Sequence, residues 1–295
     1  ANFIAKASYG MADDMLTTTF LAANCPKLVV PAMNTQMFLN PITQDNIMRL
    51  LKVGIRVMQP SSGALACGDV GVGKMPEPEA IWEEILFDLA YAKDLAGKKV
   101  LVTAGATQEA IDPVRYITNH STGRMGYALA KAAAYRGAQV TLITGKTSLE
   151  PIPYVNTIEI TTSAEMCKEV LKYAPKVDYI FKAAAVADYT PVYTSDEKIK
   201  KHDGDMVIEL RRTADILAEL KKIRKPEQII CGFSMETQNL LENSRSKLER
   251  KGLDMICANS LRDAGAGFGG DTNIVTIITK DDETELGKLS KFDTA

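Results

Sequence analysis

The amino-acid sequence predicts an α/β protein with a Rossmann-like, doubly wound parallel sheet, preceded by part of a flavodoxin-like domain. Short apolar runs alternate with segments of helical period, which is typical of parallel βα units and not of sandwiches or bundles. The chain has 295 residues, nearly twice the roughly 150 of a common domain, so we expect two domains. Hydrophobic residues at 46% and charged residues at 24% are typical of a globular chain.

The first predicted elements are short strands and helices that end at a polar boundary. Residues 28–30 and 55–58 are apolar enough for buried strands. Between them, Asn40 and Pro41 supply an N-cap and a proline at the first helical position, and the apolar stripe that follows ends at Gly54. A second helix is predicted over residues 78–92. The polar stretch 94–99 then marks a boundary, so we expect one domain over residues 1–93 and another over residues 98–295.

The second domain continues the alternation of strands and helices. A helix over residues 125–136 ends at Gly137, and a capping box from Thr162 to Glu165 opens the next helix. Apolar runs predict strands at residues 100–103, 140–144, 179–183, 229–233 and 255–258. Residues 274–278 and 283–286 are predicted to form a terminal hairpin. The order of these elements predicts a doubly wound sheet.

Charge and composition exclude several kinds of partner. The net charge of −2 provides no broad field for nucleic acids or anionic membranes, so any anion site must be local. No apolar run approaches the roughly 20 residues of a membrane span, and the first residues lack the layout of a signal peptide. The 5 cysteines are odd in number and scattered, so neither a disulfide framework nor a zinc site is indicated. We expect a cytoplasmic protein whose two ends are cut.

The most informative stretch joins the first strand and the first helix of the second domain. It comprises residues 103–108 (TAGATQ) and 112–126 (DPVRYITNHSTGRMG). Open parallel sheets bind ligands outside the carboxyl ends of their strands, where free helix N–H groups face an anion. The glycines alone could serve a tight turn, and GxGxxG spacing is absent. The connection is nevertheless far longer than the roughly 2–6 residues of ordinary βα loops, which favours a phosphate-binding function.

A second motif, residues 183–189 (AAAVADY), ends a predicted strand and is followed by residues 197–201 (EKIKK). Together and in this order, the two motifs resemble the phosphopantothenate–cysteine ligase family, and the similarity extends over residues 98–290. The resemblance implies that CTP converts 4′-phosphopantothenate into an acyl-cytidylate, with release of pyrophosphate. The amine of L-cysteine then takes the acyl group and CMP leaves.

The resemblance also implies roles for individual residues. Lys198 would contact the triphosphate and stabilise developing charge, Asn119 would bind the acyl-cytidylate, and Arg115 would bind substrate. Asp188 would bind the nucleotide directly or through Mg²⁺, although the identity of the metal stays open. The remaining residues of the expected CTP pocket are Lys182, Ala183, Ala184, Ala214, Asp215, Ile216, Leu217, Phe233, Lys247 and Lys251.

Each of these residues also has an ordinary structural interpretation. A short run of charge around Lys198 is commonly a solvated turn, and Lys247 and Lys251 could form a wet face of one helix. Phe233 could be a core residue, and Asp188 could cap a turn. The order and spacing of all the elements together, rather than any one residue, favour the functional interpretation.

The front of the chain carries residues 31–37 (PAMNTQM) and 61–69 (SSGALACGD), which resemble phosphopantothenoylcysteine decarboxylase, a homo-oligomeric, flavodoxin-like flavoprotein. The resemblance implies that Asn34 binds the substrate carboxylate and that Cys67 reprotonates the ene-thiol left after loss of CO₂. The family's first strands, flavin phosphate loop and catalytic histidine precede Ala1. We therefore expect FMN to belong to the parent protein, with its site incomplete here and a ligase joined to a decarboxylase remnant.

Two other classes of protein were compared with this interpretation. An NAD(P) oxidoreductase shares the opening of strand, glycine loop and helix, but residues 140–145 (VTLITG) lack the acidic residue that a ribose would need after the second strand. A non-catalytic regulatory subunit could share the fold, because a fold does not define a function. The presence of Asn119, Asp188 and Lys198 favours an enzyme over such a subunit.

Overall fold

The computed structural model describes residues 1–65, 68–201, 204–236, 239–260 and 270–295. The chain divides into two compact units, residues 1–91 (the first unit) and residues 92–295 (the second unit). Within the described residues, no helix combines the length and the apolar character needed to cross a membrane.

The first unit contains short strands and helices around a small apolar core. In chain order its helices are α1 (Asn2–Ser8), α2 (Met15–Ala22), α3 (Thr35–Leu39), α4 (Pro41–Lys52) and α5 (Pro78–Leu89). Its strands are β1 (Leu28–Val29), β2 (Arg56–Val57), β3 (Ser61–Ala64) and β4 (Val70–Lys74). Strands β1 and β2 pair in parallel, and β3 and β4 form an antiparallel pair. The core consists of Ile4, Val29, Phe38, Ile47 and Leu50.

Local sequence explains how α4 and α5 are held in this unit. The side chain of Asn40 accepts a hydrogen bond from the N–H of Ile42 at 2.9 Å, which confirms the predicted N-cap of α4. Arg56 forms ion pairs with Glu84 and Asp88, which lie one turn apart on α5. The helix that was predicted over residues 78–92 ends earlier, at Leu89.

The second unit continues the numbering of both kinds of element. Its helices are α6 (Arg124–Tyr135), α7 (Ser163–Tyr173), α8 (Ile216–Ile223), α9 (Leu240–Lys251) and α10 (Lys291–Thr294). The strands of its large sheet are β5 (Lys99–Ala104), β8 (Gln139–Thr144), β9 (Asn156–Glu159), β10 (Tyr179–Lys182), β13 (Ile229–Glu236), β14 (Met255–Ser260), β16 (Val275–Thr279) and β17 (Glu283–Glu285). Shorter strands are β6 (Gln108–Ala110), β7 (Tyr116–Thr118), β11 (Tyr189–Pro191), β12 (Leu210–Arg212), β15 (Thr272–Asn273) and β18 (Leu289–Ser290).

The large sheet has the doubly wound order that the sequence predicted. Its strands lie in the order β17-β16-β14-β13-β10-β5-β8-β9, and all neighbours from β14 to β9 are parallel. The chain moves from β5 outward to β8 and β9, then returns to the other side of β5 to form β10. Strands covered by helices on both faces are apolar along their length, and β5 is buried continuously from Val100 to Ala104. The predicted terminal hairpin is formed by β16 and β17.

Two local features place α6 and α7 against the sheet. At the start of α7, the Thr162 side chain accepts a hydrogen bond from the N–H of Glu165, and the Glu165 carboxylate accepts one from the N–H of Thr162, so the predicted capping box is confirmed. At the start of α6, Gly126 faces β5. A Cβ atom at Gly126 would lie 2.5 Å from the Cβ of Ala104 and 2.9 Å from the carbonyl oxygen of Thr103. The close approach of α6 to β5 therefore requires glycine.

The structure differs from the sequence-based prediction in its short strands. Strands β6 and β7 form a hairpin inside the long connection between β5 and α6, which the sequence predicted only as a loop. Strands β11 and β12 pair across the segment that contains Lys198. In the first unit, residues 61–64 and 70–74 likewise pair as the strands β3 and β4. These strands have three to five residues and little apolar alternation, so periodicity could not identify them.

Replacement of Gly126 by alanine should destabilise the second unit, although alanine favours a helix by about 1 kcal/mol. The added methyl group would overlap Ala104, and overpacking of this kind costs about 1–3 kcal/mol. We expect a lower urea midpoint for the unfolding of the second unit, followed by circular dichroism. Gly287→Ala is the matched control, because a Cβ at Gly287 meets no atom within 4 Å. Equal midpoints for the two variants would contradict the packing argument.

Candidate functional site

The candidate site begins where β5 and β10 end side by side and their following segments stay together. The N–H of Ala185 donates to the carbonyl oxygen of Gly105 at 2.9 Å, and the N–H of Thr107 donates to the carbonyl oxygen of Ala185 at 3.3 Å. Ala106 and Ala185 form an isolated parallel bridge. Because β8 lies on one side of β5 and β10 on the other, this is the switch point of the sheet, where open α/β sheets bind ligands.

Threonine side chains fix the backbone of this switch point. Thr103 accepts the N–H of Ala184 on its Oγ1 at 3.2 Å, and Thr107 accepts the N–H of Ala187 at 3.0 Å. Thr213 donates its hydroxyl to the carbonyl oxygen of Ala187 at 2.7 Å. The segment between β10 and β11 is therefore tied both to the end of β5 and to the chain that precedes α8.

A cleft of about 520 Å³ opens beside the switch point, at the carboxyl ends of β10 and β13. Its lining combines apolar side chains with three lysines, one arginine and two aspartates. The lining residues are Lys182, Ala184, Val186, Ala187, Asp188, Tyr189, Arg212, Thr213, Ala214, Asp215, Ile216, Leu217, Phe233, Lys247 and Lys251. A cleft of this size and charge can hold a small molecule that carries several negative charges.

Lys182 is the last residue of β10, and its side chain is buried in the wall of the cleft. The residue is 7% exposed, and its Nζ has no hydrogen-bond partner among the described residues. Burial lowers the pKa of Lys182 to about 7, although Cys167 and Asp215 act in the opposite direction. A buried ammonium group without a partner is costly, so the amine is partly neutral near pH 7. An anion in the cleft would supply the missing acceptor.

Three further charged groups of the cleft lie at the start of α8 and in α9. Asp215 is the N-cap of α8, where its carboxylate accepts the N–H of Ala218 at 3.1 Å and also pairs with Lys251. Burial by itself would raise the pKa of Asp215, but these hydrogen bonds hold it below its ordinary value. Lys247 donates to the carbonyl oxygen of Phe233 at 2.8 Å. Lys247 and Lys251, which are four residues apart on α9, therefore line the cleft and are not simply a solvated face of the helix.

The structure brings most of the predicted nucleotide-binding residues into this one cleft. They are Lys182, Ala184, Asp188, Ala214, Asp215, Ile216, Leu217, Phe233, Lys247 and Lys251. Ala183 and Lys198 do not line it as described. Sequence reasoning assigned no role in the site to five further lining residues, which are Val186, Ala187, Tyr189, Arg212 and Thr213. Arg212 and Thr213 directly precede Ala214 in the sequence. The basic residue at position 212 was the signal that could have indicated a further anion-binding residue.

Asn119 lies beside the cleft, and Lys198 lies in a separate loop. The Asn119 side chain is exposed and donates its Nδ2 to the carbonyl oxygen of Ala185 at 3.3 Å. Lys198 is exposed in the loop of residues 194–199 (the 194–199 loop), which is bonded to the connection between β6 and β7. Arg115, the other predicted substrate-binding residue of this unit, belongs to that connection and pairs with Asp112 at 2.5 Å.

In the first unit, Asn34 lies close to the start of β4. Its side chain accepts the N–H of Gln36 at 2.8 Å as the N-cap of α3, and its Nδ2 donates to Asp69 at 3.1 Å. The N–H of Met33 donates to the carbonyl oxygen of Gly73 at 3.0 Å. Cys67, the predicted catalytic residue of this unit, lies outside the described residues.

Two family models match this chain. Residues 95–295 match the DNA/pantothenate metabolism flavoprotein C-terminal domain, and residues 1–89 match the flavoprotein family. The two matched ranges correspond closely to the two compact units of the structure.

Individual relatives and solved structures agree with these matches. The coenzyme A biosynthesis bifunctional protein CoaBC of Bacillus subtilis (strain 168) is 50% identical over 297 residues, which cover 99% of this chain and 73% of that protein. A cysteine/cysteine sulfinic acid decarboxylase of an unknown prokaryotic organism is 47% identical, with 98% of this chain and 82% of that protein covered. The crystal structure of the C-terminal domain of a CoaBC protein has a TM-score of 0.59 at 41% identity and covers 69% of this chain and 92% of its own.

The buried amine of Lys182 should make stability depend on pH in a defined direction. Below about pH 7 the lysine is charged in both the folded and the unfolded chain, so burial of the charge destabilises the fold in full. Between about 7 and its unfolded pKa of about 10.4, the unfolded chain binds more protons than the folded chain, so stability rises with pH.

Lys182→Met, which keeps the length of the side chain without the charge, removes this effect. We expect the variant to be more stable than the wild type by about 2 kcal/mol at pH 6, and the difference to shrink towards pH 9.5. Urea unfolding of the full chain across this range measures it. If the difference in the free energy of unfolding between the two proteins did not change with pH, the Lys182 amine would be solvated and its pKa would not be lowered.

Proposed function

The chain belongs to the family of bifunctional coenzyme A biosynthesis proteins, and we propose that its second unit joins 4′-phosphopantothenate to L-cysteine through an acyl-cytidylate made from CTP. The family membership itself makes the protein a phosphopantothenate–cysteine ligase with a flavoprotein decarboxylase component. It also decides against the NAD(P) oxidoreductase and the non-catalytic subunit considered from the sequence. We place the ligase domain at residues 98–295 and the decarboxylase part at residues 1–93.

The observation that carries the nucleotide proposal is the convergence of positive charge in the 520 Å³ cleft. A carboxylate becomes a good acyl donor only after a phosphoryl group is attached to it. Two anions must therefore be held together while further charge develops. Lys182, Lys247 and Lys251 reach the cleft from β10 and α9. The N-terminus of α8 adds its partial positive charge on the same side.

The remaining lining residues suit the other parts of the nucleotide. Phe233 presents a partly buried ring that would pack against the base, and Ala214 to Leu217 would contact it through the backbone at the start of α8. Ala183 and Ala184 would border the nucleotide from the switch point. The N–H of Ala184 is already bonded to Thr103, so Ala184 would contribute its methyl group and carbonyl oxygen.

Asp188 is the residue that fits a magnesium ion. It is exposed on the rim of the cleft, where one carboxylate and the phosphates of the substrate could share the ion. Among the described residues no three histidine, cysteine or acidic side chains come together as a metal cluster. A Mg²⁺ ion that enters with the nucleotide agrees with this arrangement. Asn119 and Arg115 would then hold the acyl-cytidylate and the phosphopantothenate.

For the first unit, we propose that Asn34 holds a substrate carboxylate and that Cys67 supplies the proton in the decarboxylation reaction of the parent protein. The match of residues 1–89 to the flavoprotein family supports FMN as the cofactor of that reaction. A homo-oligomer of the full-length protein is part of the same proposal.

A pyrophosphate-release assay of the full chain with 4′-phosphopantothenate tests the nucleotide. CTP should support turnover, and CMP should appear only when L-cysteine is added. ATP should support at least about 10-fold less, since a pocket that hydrogen-bonds one base leaves polar groups unpaired with another. Equal rates with CTP and ATP would reject the pyrimidine preference, and no release with either would reject the cleft as the reaction site.

Lys198→Gln should slow turnover more than it weakens CTP binding. If the ammonium group meets charge that develops in the transition state, its loss should lower kcat by about 10²–10³-fold. Lys280→Gln is the matched control, because Lys280 is also exposed but lies away from the cleft. It follows Thr279, which pairs with the first residue of β14, at the end of the strands opposite to the cleft. Steady-state kinetics with CTP measures both variants. Retention of wild-type kcat by Lys198→Gln would show that the 194–199 loop is a solvated turn.

A further inference from the structure

We propose that Asp112 is the positioning residue for Lys198, and that it acts by holding the backbone of Ile199. This inference rests on the proposed function of the second unit and adds a residue that neither the motifs nor the resemblance assigned. It addresses the position of Lys198, which carries the predicted catalytic charge on an exposed loop outside the cleft lining.

Asp112 lies in the turn between β6 and β7, and its side chain is completely buried. One carboxylate oxygen accepts the N–H groups of Val114 and Arg115, each at 2.8 Å, which closes the turn. The other oxygen accepts Nε of Arg115 at 3.0 Å and Nη2 of Arg115 at 2.5 Å. A buried carboxylate survives only when its lone pairs are used, and here they are.

The same oxygen that meets Arg115 also accepts the N–H of Ile199 at 3.2 Å. Nη2 of Arg115 donates in turn to the carbonyl oxygen of Ile199 at 3.0 Å. Both backbone groups of Ile199 are thus held by one ion pair from a segment more than eighty residues earlier in the chain. We call this arrangement of Asp112, Arg115 and Ile199 the loop clamp.

Two further bonds extend the clamp along the 194–199 loop. The N–H of Ser195 donates to the carbonyl oxygen of Ile111 at 3.0 Å, and the hydroxyl of Thr194 donates to that of Ala110 at 3.1 Å. Lys198 is the residue next to Ile199, so its Cα can move only as far as the clamp allows. The ammonium group remains exposed and able to reach a ligand.

The clamp has a charge requirement as well as a shape requirement. The Arg115 side chain holds the pKa of Asp112 well below its ordinary value against the effect of burial, and the N–H groups of Val114 and Ile199 add to this effect. The carboxylate is therefore ionised at neutral pH. Arg115 commits Nε and Nη2 to the clamp, and the bonds described leave Nη1 for the substrate contact proposed above.

The test is a double-mutant cycle between Asp112→Asn and Lys198→Gln in the full chain. Asp112→Asn should lower kcat by about 10- to 100-fold, as expected when a catalytic group is displaced by about an ångström. In the Asp112→Asn background, Lys198→Gln should cost only about 10-fold more instead of about 10²–10³-fold, so that the double variant is about as slow as Lys198→Gln alone. Fully additive effects would overturn the proposal.

Asp254→Asn is the matched control. The Asp254 carboxylate also accepts an arginine, Arg224, at 2.8 Å and a backbone N–H, that of Ile230, at 2.8 Å, but it touches no part of the 194–199 loop. A loss of general stability should affect both aspartate variants. Only Asp112→Asn should reduce the effect of Lys198→Gln, and equal behaviour of the two variants would mean that Asp112 has a structural function only.

Limited trypsin digestion provides a readout that does not require turnover. Trypsin cuts the bond between Lys198 and Ile199, the bond whose N–H the clamp holds. We expect Asp112→Asn to increase the cleavage rate there by about 10-fold while Asp254→Asn leaves it unchanged, with mass spectrometry to identify the fragments. An unchanged rate would overturn the clamp, whereas the absence of CTP turnover in the wild type would overturn the proposed function and leave the digestion to decide the clamp.

If Asp112→Asn does not fold, Ile199→Pro is the second variant. It removes the N–H that meets Asp112 and fixes the backbone angle φ at position 199, and it leaves the Asp112–Arg115 pair in place. It should reproduce the fall in kcat and the reduced effect of Lys198→Gln. Wild-type kcat in Ile199→Pro would overturn the proposal.

Discussion

The parallel contact between the ends of β5 and β10 is the constraint on which the rest of the second unit depends. Side by side, these strands bring two segments from distant parts of the chain into bonding distance at Gly105, Thr107 and Ala185. Thr103 and Thr107 then satisfy backbone N–H groups that would otherwise be unpaired near the core. Without that contact the segment that carries Asp188 would not be held against the end of β5, and the side of the cleft that this segment forms would not be fixed.

The electrostatics of the cleft follow from how its cations are paired. Lys251 already has the Asp215 carboxylate, and Lys247 has the carbonyl oxygen of Phe233, so both are held in place before any ligand arrives. Lys182 is different, because its buried amine has no acceptor among the described residues and its pKa falls to about 7. In the part of the chain that the structure describes, Lys182 is the one lysine whose amine is buried without a hydrogen-bond partner. The same position gains most when an anion enters, which is typical of strain kept at a functional site.

The long connection between β5 and α6 combines two functions that a shorter turn could not. Its second half leads to Gly126, where the absence of a side chain lets α6 approach β5 closely. Its first half folds into the β6–β7 hairpin, whose turn presents Asp112 to the 194–199 loop. A connection of ordinary length would place the helix but would leave Lys198 without a support. The length of the loop is thus a consequence of holding a second loop.

Sequence alone determined the order of strands and helices and the capping box at Thr162, because apolar periodicity and caps are local properties of the chain, whereas the nucleotide-site residues were implied by the family resemblance. The predicted set from Lys182 to Lys251 came together largely as expected, since residues that follow parallel strands share one edge of the sheet. Tertiary structure alone decided that Lys198 lies outside that cleft, that the amine of Lys182 has no partner among the described residues, and that Asp112 holds Ile199. Burial and hydrogen bonding across eighty residues depend on three-dimensional packing, and no local pattern records them.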